Sequence, residues 1–539
     1  MSNPNNINNN WVMIVAFMAL LLPIIIIEFS VLTYTHGNWS YPIEDPYIHM
    51  SIAKNLALHH VWGTSQYEFT SASSSILYPL ILAFIFLLTG PHTCIPFIIN
   101  LVSAILIILL LKKWLKAHEI SIRSQIVTYL SVIFITPLSV VTILGMEHTL
   151  HLLISLLFVY NFSNNLSQTY FNNNNLSRLN WKTYVYGMLL TSIRFEGLFL
   201  ILVACIVLLW KHQIKNSILL GIISTLPVLI FGIISLSKGS YFFPNSVLLK
   251  SPDVPLNLYS FAVFITDGIW QKLYFGGFNW SQIATSKLIL VLPLSYLLYV
   301  SSITGKPFYG IMVFLLIATV IIHICFGRVG WFFRYEAYLI GLVTITTCVM
   351  LSQIPIDWSF VNWNLHKTII GAIALYIFMP FFFRSWDAID FTDNACKYTY
   401  DQNYLISKFL HKYYDTTNTA INDLGAMTYY THARDLDLDG LGSIEIAKSL
   451  KENYNTPEFV DKIITDKKIK IAVIFERLAP PLLQDKWKKI ASWHSPNHIN
   501  HVNTDFQFYA IDTTYATSLR ENLIAYSQTV PRNIVITIY

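Results

Sequence analysis

Charge is what this chain has least of. Of its 539 residues only 65 are Asp, Glu, Lys or Arg, or 12%, where a soluble globular protein carries about 25%. That excludes an ordinary soluble enzyme. The shortage is uneven, with 29 charges in residues 1–383 and 36 in residues 384–539, which reads as a polytopic membrane part followed by a soluble domain. Basic runs are missing too. A net charge of +5 is small for this length, and nucleic acid is excluded as a partner. There are five cysteines and no CxxC pair, and Cys94, Cys205, Cys325 and Cys348 lie in or beside apolar runs. This excludes a disulfide framework and a thiolate zinc site. The apolar run 11–27 follows an Asn-rich stretch without Lys or Arg and has no small-residue cleavage site after it, so it is expected to stay as the first span.

Apolar runs long enough to cross about 30 Å of hydrocarbon occur at 11–33, 95–111, 124–144, 216–236, 284–303, 308–326, 331–351 and 367–383, with a shorter one at 149–162. The segment 76–89 is too short for a confident span and is expected to re-enter the membrane or lie at its surface. Residues 183–210 are interrupted by Arg194, Glu196 and Gly197, so a hairpin of two short helices is expected there. Basic residues mark the cytoplasmic side. Lys112, Lys113, Lys116 and Arg123, then Arg178 and Lys182, then Lys211 and Lys215, then Lys306 and Lys367 all fall on one side if the chain makes about eleven crossings. The N-terminus is then cytoplasmic and the C-terminal domain periplasmic. The expected division is 1–383, membrane domain, with a first outer loop at 34–94 containing the re-entrant segment 76–89, and 384–539, exported α/β domain.

On this arrangement Glu44, Asp45, Glu68, Glu147, Glu196, Asp253, Asp267 and Glu336 lie at the outer side, so chemistry is expected to face outward. The first outer loop reads Tyr41-Pro42-Ile43-Glu44-Asp45-Pro46-Tyr47, followed by Ile48, Ile52 and Leu56 at helical spacing, the pattern of an amphipathic helix lying on the membrane. Asp45 before Pro46 also has the form of a helix N-cap, which leaves Glu44 unexplained. Further polar groups sit at run ends: Glu147 and His148, Arg194 and Glu196, Asn245 and Lys250, Arg334 and Tyr335. Charges at membrane depth normally face cavities or each other. Structural pairing of Arg194 with Glu147, or Arg334 with Glu336, stands beside the alternative, a site for an anionic lipid-linked substrate.

Glu44-Asp45-Pro46-Tyr47-Ile48, then Ala53-Lys54-Asn55-Leu56-Ala57 and Thr70-Ser71-Ala72-Ser73-Ser74-Ser75-Ile76-Leu77-Tyr78-Pro79, resemble the first outer loop of GT-C superfamily membrane glycosyltransferases, of the mycobacterial terminal arabinofuranosyltransferase type and its proteobacterial relatives. Gly145-Met146-Glu147, Arg194 with Glu196-Gly197-Leu198, Pro244-Asn245, Arg334-Tyr335 and Asp423-Leu424-Gly425-Ala426 before Tyr429-Tyr430 continue the resemblance in order. The acidic pair is Glu-Asp where Asp-Asp is usual, and Phe195 stands where Pro is commoner. These departures bear on the sugar, not on the superfamily. The resemblance implies a polyprenyl-phosphate sugar donor, a glycan or lipid acceptor at the outer face of a bacterial inner membrane, and an acidic residue of the first loop as base. The expected catalytic residues are Asp45, as base, and Glu44, contacting a metal or hydroxyl. The expected substrate-binding residues are Glu147, His148, Arg194, Glu196, Asn245, Lys250, Arg334 and Tyr335, with Arg194 and Arg334 clamping the phosphate. The chemistry agrees: an acceptor hydroxyl needs a carboxylate to take its proton, while the phosphate leaves without a general acid. No cofactor is required, and a divalent cation such as Mg or Mn is compatible with the carboxylates. The rival class is a lipid or solute transporter, which would place ionisable groups at mid-membrane and show two similar halves.

In 384–539 the patterns shorten. Helices are expected at 400–413, 443–454 and 457–465, and strands at 419–424, 435–438 and 469–475, a small α/β layer. Asp435, Asp437 and Asp439 alternate as in a calcium loop, but EF-hand spacing fails, with no acid twelve positions after Asp435. His494, His498 and His501 are read as a solvated loop in preference to metal ligands.

Overall fold

The computed structural model describes residues 10–172, 179–250, 257, 259–266, 280–302, 307–354, 365–475, 486–498 and 505–539. Arg178, Asp253, Asp267, Lys306 and His501 lie outside the described residues. The chain is a polytopic α-helical membrane protein with a C-terminal sheet domain, and it folds as two compact units. The first comprises Met1–Ile26, Ile98–Val228 and Ser251–Ile389; the second comprises Ile27–Phe97, Leu229–Lys250 and Asp390–Tyr539. Residues 34–94 therefore belong to the same unit as residues 390–539, and the boundary of the first unit at 389 lies inside one 35-residue helix, Leu365–Thr399.

Among the described residues, five helices are long and apolar enough to cross a membrane: Asn10–Tyr34, Ile95–Ala117, Ile214–Ser237, Trp280–Ser301 and Pro307–Phe326. At 1.5 Å per residue they run roughly 30–37 Å, the thickness of the hydrocarbon, and a helix satisfies its backbone polar groups internally as that medium demands. Shorter apolar helices are Leu77–Thr89, Ile122–Ile135, Gly197–Trp210 and Ala337–Leu351. The run 124–144 breaks at Pro137, between Ile122–Ile135 and Leu138–Ile143. The short run at 149–162 becomes a 25-residue helix, His148–Asn172. Its polar second half stays helical because Asn161 donates to the Leu157 carbonyl at 2.8 Å and Asn165 to Thr183 Oγ1 at 2.7 Å.

In the second unit six strands form one sheet: β1 Thr419–Ile421, β2 Leu436–Asp437, β3 Ile471–Phe475, β4 Lys488–His494, β5 Phe506–Ala510 and β6 Val535–Ile538. Their order is β2-β1-β3-β5-β4-β6, with β1 parallel to β2 and β3 and the other pairs antiparallel. The apolar run of β3 reflects burial on both faces. Ile471 and Val473 join Trp493, Phe508 and Leu519 on one side, while Ala472 and Ile474 join Leu436, Val460 and Ile463 on the other.

Ile48 and Ile52 belong to the first of these cores. The apolar stripe of the helix Asp45–His59 is thus covered by protein. Ten of its fifteen residues are buried, including polar ones held by specific partners: Ser51 Oγ lies 3.1 Å from Thr428 Oγ1 and Asn55 donates to the Gly63 carbonyl at 2.9 Å; the half-buried Lys54 donates to the Tyr429 carbonyl at 2.6 Å. The i, i+4 spacing identified the apolar stripe correctly. Its medium is the protein core, where each buried Ile contributes about 1.5–3 kcal/mol.

Candidate functional site

In the second unit the acidic pair divides its roles. Helix Asp45–His59 starts one residue earlier than a cap at Asp45 would require: Glu44 occupies the N-cap position and makes no side-chain cap bond, and Asp45 is already helical with Pro46 after it. The capping reading of Asp45 therefore fails. Its Oδ1 lies 3.5 Å from Lys250 Nζ, with the two side chains 19% and 28% exposed. A carboxylate and an ammonium, both reachable from solvent, thus stand side by side.

Glu44 turns the other way. Its Oε2 accepts the Ala426 backbone N–H at 2.6 Å, at the third residue of helix Leu424–Tyr430, so a residue of the first outer loop caps a helix of the C-terminal domain. That helix's own N-cap, Asp423, makes no cap bond and instead accepts from Asn403 Nδ2 at 2.7 Å. The approach is close enough that a Cβ on Gly425 would fall on the Glu44 carboxylate and on its carbonyl oxygen, so glycine is required there for space. Burial, together with the neighbouring Asp423 carboxylate, pushes the Glu44 carboxyl well above the usual carboxylate range. Burial likewise raises Asp423 to about 7, opposed by the Asn403 hydrogen bond and reinforced by Asp439, Asp45 and Asp437. Glu44 thus spends one oxygen on a helix N–H and is held toward its protonated form, while Asp45 faces a cation.

Asn245 is buried and structural: its N–H donates to the Ser71 carbonyl at 2.8 Å, and its Nδ2 to the Gly440 and Leu441 carbonyls, each at 3.2 Å. The alternating acids also find a structural purpose. Asp437 accepts the N–H groups of Asp439 at 2.9 Å and Gly442 at 2.7 Å, folding the turn that a calcium loop would have needed an ion to fold. His494 pairs with Asp505 at 2.8 Å.

The first unit gathers a second group. Arg194 ends helix Trp181–Ile193 in extended conformation, and the chain turns at once into Gly197–Trp210. A Cβ on Gly197 would come within 2.5 Å of the Leu190 carbonyl oxygen. This turn, expected as a hairpin break, holds Arg194 with Nη1 2.7 Å from Glu147 Oε1 and with Nε and Nη2 both on Glu196. The Arg194–Glu147 pair is thus present, and the guanidinium is held by two carboxylates. Arg334 does not pair with Glu336 as that reading required: Glu336 turns to Arg384, 2.8 Å away, and accepts from Gly330 N–H. Arg384, wholly buried, also donates to the Phe333 carbonyl. The ring of Tyr335 collects the rest, with Arg334 4.9 Å and Arg194 5.7 Å from its centroid and His148 edge-on at 6.0 Å. Arg334 Nη2 donates to the Tyr335 hydroxyl at 3.1 Å.

Of the expected residues, Glu44, Asp45, Asn245 and Lys250 lie in one unit and Glu147, His148, Arg194, Glu196, Arg334 and Tyr335 in the other. Sequence reasoning missed the partners: Asn403, Asp423 as partner of Glu44, and Arg384. Asp423-Leu424-Gly425-Ala426 carried a signal, since an acid before a glycine at a helix start marks a close approach.

Comparisons with known proteins add the following. Residues 394–513 match a family model described as a domain of unknown function, DUF8728. No curated protein sequence matches the chain. Among solved structures, the crystal structure of ArnT from Cupriavidus metallidurans bound to undecaprenyl phosphate is similar with a TM-score of 0.52 and 11% identity, covering 94% of this chain and 99% of that one. The chain therefore shares the fold of that structure over nearly its whole length.

Proposed function

We propose that this chain is a glycosyltransferase that moves a hexosyl or pentosyl group from a polyprenyl-phosphate donor to a cell-envelope glycan or lipid at the outer face of a bacterial inner membrane. The observation that carries this reading is the ArnT-like fold across 94% of the chain, in a protein whose structure was solved with undecaprenyl phosphate. The Asp45–Lys250 pair supplies the chemistry. As the acceptor oxygen bonds to the anomeric carbon, Asp45 takes its proton, the bond from that carbon to the phosphate oxygen breaks, and the electron pair leaves on the phosphate. Lys250, beside Asp45, favours that growing negative charge. A transporter is less attractive, because the ionisable groups sit at helix ends and in turns, bonded to one another.

The test uses the full-length chain in detergent. Native mass spectrometry should show undecaprenyl phosphate bound, and cells carrying Asp45→Asn should lose one sugar from their envelope glycan while keeping a folded protein. Uptake of a lipid or solute into proteoliposomes, unaffected by Asp45→Asn and without sugar transfer, would overturn the reading in favour of transport.

A further inference from the structure

The C-terminal domain holds a cluster that the proposed transfer does not use. His411 and Asp415 are four residues apart at the end of helix Leu405–Tyr414, a spacing that puts both on one face. His432 follows helix Leu424–Tyr430, and its backbone N–H donates to the Asp415 carbonyl at 2.9 Å, which brings its side chain to the same carboxylate. His411 Nδ1 lies 2.8 Å from Asp415 Oδ1; His432 Nδ1 lies 2.9 Å from Oδ2 and 3.1 Å from Oδ1. One ligand atom from each residue lies within 4.8 Å of the others, and among the described residues this is the one such grouping of His, Cys, Asp or Glu. The side chains are 47%, 33% and 43% exposed, in chain order.

We propose that His411, Asp415 and His432 form a binding site for a divalent transition-metal ion of the zinc class. A tetrahedral zinc holds nitrogen and oxygen at about 2.0–2.2 Å, which sets its ligand atoms roughly 3.3–3.6 Å apart. The two imidazole–carboxylate pairs, at 2.8 and 2.9 Å, need open by roughly 0.4–0.8 Å to admit it, and the ligand atoms already lie within 4.8 Å of one another. Two imidazoles and one carboxylate disfavour magnesium and calcium, which take oxygen ligands, and suit zinc, cobalt or nickel. The exposed side leaves the fourth position to water. The ion would replace the two imidazole-to-carboxylate hydrogen bonds, each imidazole presenting Nδ1 as a lone pair and carrying its proton on Nε2. Its effect would be to tie the end of one helix to the segment leaving the next, the helix whose N-terminus Glu44 caps. This site neither depends on the transferase reading nor is required by it.

The test is metal binding by the full-length chain in detergent, purified without a histidine tag, stripped with EDTA, and titrated with Co²⁺ and Zn²⁺. Wild type should bind one equivalent of Co²⁺ with the intense visible absorption of a four-coordinate centre. Zn²⁺ should displace it and raise the Tm. His411→Gln and His432→Gln, conservative changes at exposed side chains, should each weaken binding by at least about tenfold while leaving the metal-free Tm and circular dichroism unchanged. His494→Gln, at an imidazole bonded to Asp505, should bind as wild type. The proposal is overturned if wild type shows no stoichiometric binding, or if the folded His411→Gln/His432→Gln double variant binds as tightly as wild type. A hydrogen-bonded His–Asp–His surface cluster is then the whole of it.

Discussion

Adjacent carboxylates with opposite fates are the central residue-scale result. Glu44 accepts a helix N–H and its carboxyl is pushed upward by burial and the neighbouring Asp423; Asp45 faces Lys250. Glu44→Gln should therefore keep turnover near wild type, because the amide retains the acceptor oxygen for Ala426. Asp45→Asn should reduce transfer by at least about a hundredfold, the scale of general-base catalysis, with an unchanged Tm. Transfer rate and Tm measured on both variants check this, and the reverse ranking would make Glu44 the base. Gly425→Ala forces a methyl group into Glu44, including its backbone oxygen. A loss of about 1–3 kcal/mol is expected, read as a lower Tm, with no rescue by a shorter side chain at position 44 because the carbonyl clash remains.

At the scale of elements, the start of helix Leu424–Tyr430 is a pH-sensitive joint. An acid raised in the folded state keeps its proton where the unfolded chain has already released it, so its contribution to stability is complete below the unfolded value and is lost as pH rises to the folded one. For Asp423 that window runs from 3.8 to about 7. Asp423→Asn, which can still accept from Asn403, should flatten the decline in Tm that wild type shows between pH 4 and 7; parallel curves would remove Asp423 as its source. The helical hairpin at Arg194 makes a different prediction. Arg194→Met strands Glu147 and Glu196 together, and removing one partner from a buried ion pair costs roughly 3–5 kcal/mol. Arg384→Met should cost a similar amount through Glu336. Arg194→Lys keeps charge but loses the fork, so thermal melts should place it between wild type and the Met variant.

For the whole molecule, the sequence by itself determined the polytopic helical part, the α/β tail and the interrupted hairpin. Each follows from local quantities: charge density, apolar run length, and two charged residues and a glycine in mid-run. The strand at 469–475 was legible for the same reason, since a strand buried on both faces is apolar throughout, as Ile471–Phe475 is; the one expected at 419–424 stops at Ile421 before a helix from Leu424, and β4, β5 and β6 were not read from the sequence. What only the tertiary structure decided was partnership. The stripe Ile48–Ile52 could not reveal whether lipid or a protein core would cover it, because both are apolar media. Glu336 could not reveal Arg384, 48 residues on, as its partner in preference to the nearby Arg334. Nor could the pair Glu44-Asp45 show which member would turn to the Ala426 N–H, since alternate helix starts one residue apart have nearly the same local propensity. That choice falls to Gly425 and Ala426, some 380 residues later, which leave space for one carboxyl and offer it one N–H. Long-range packing thus selects which of two chemically similar acids turns to that N–H and which faces Lys250.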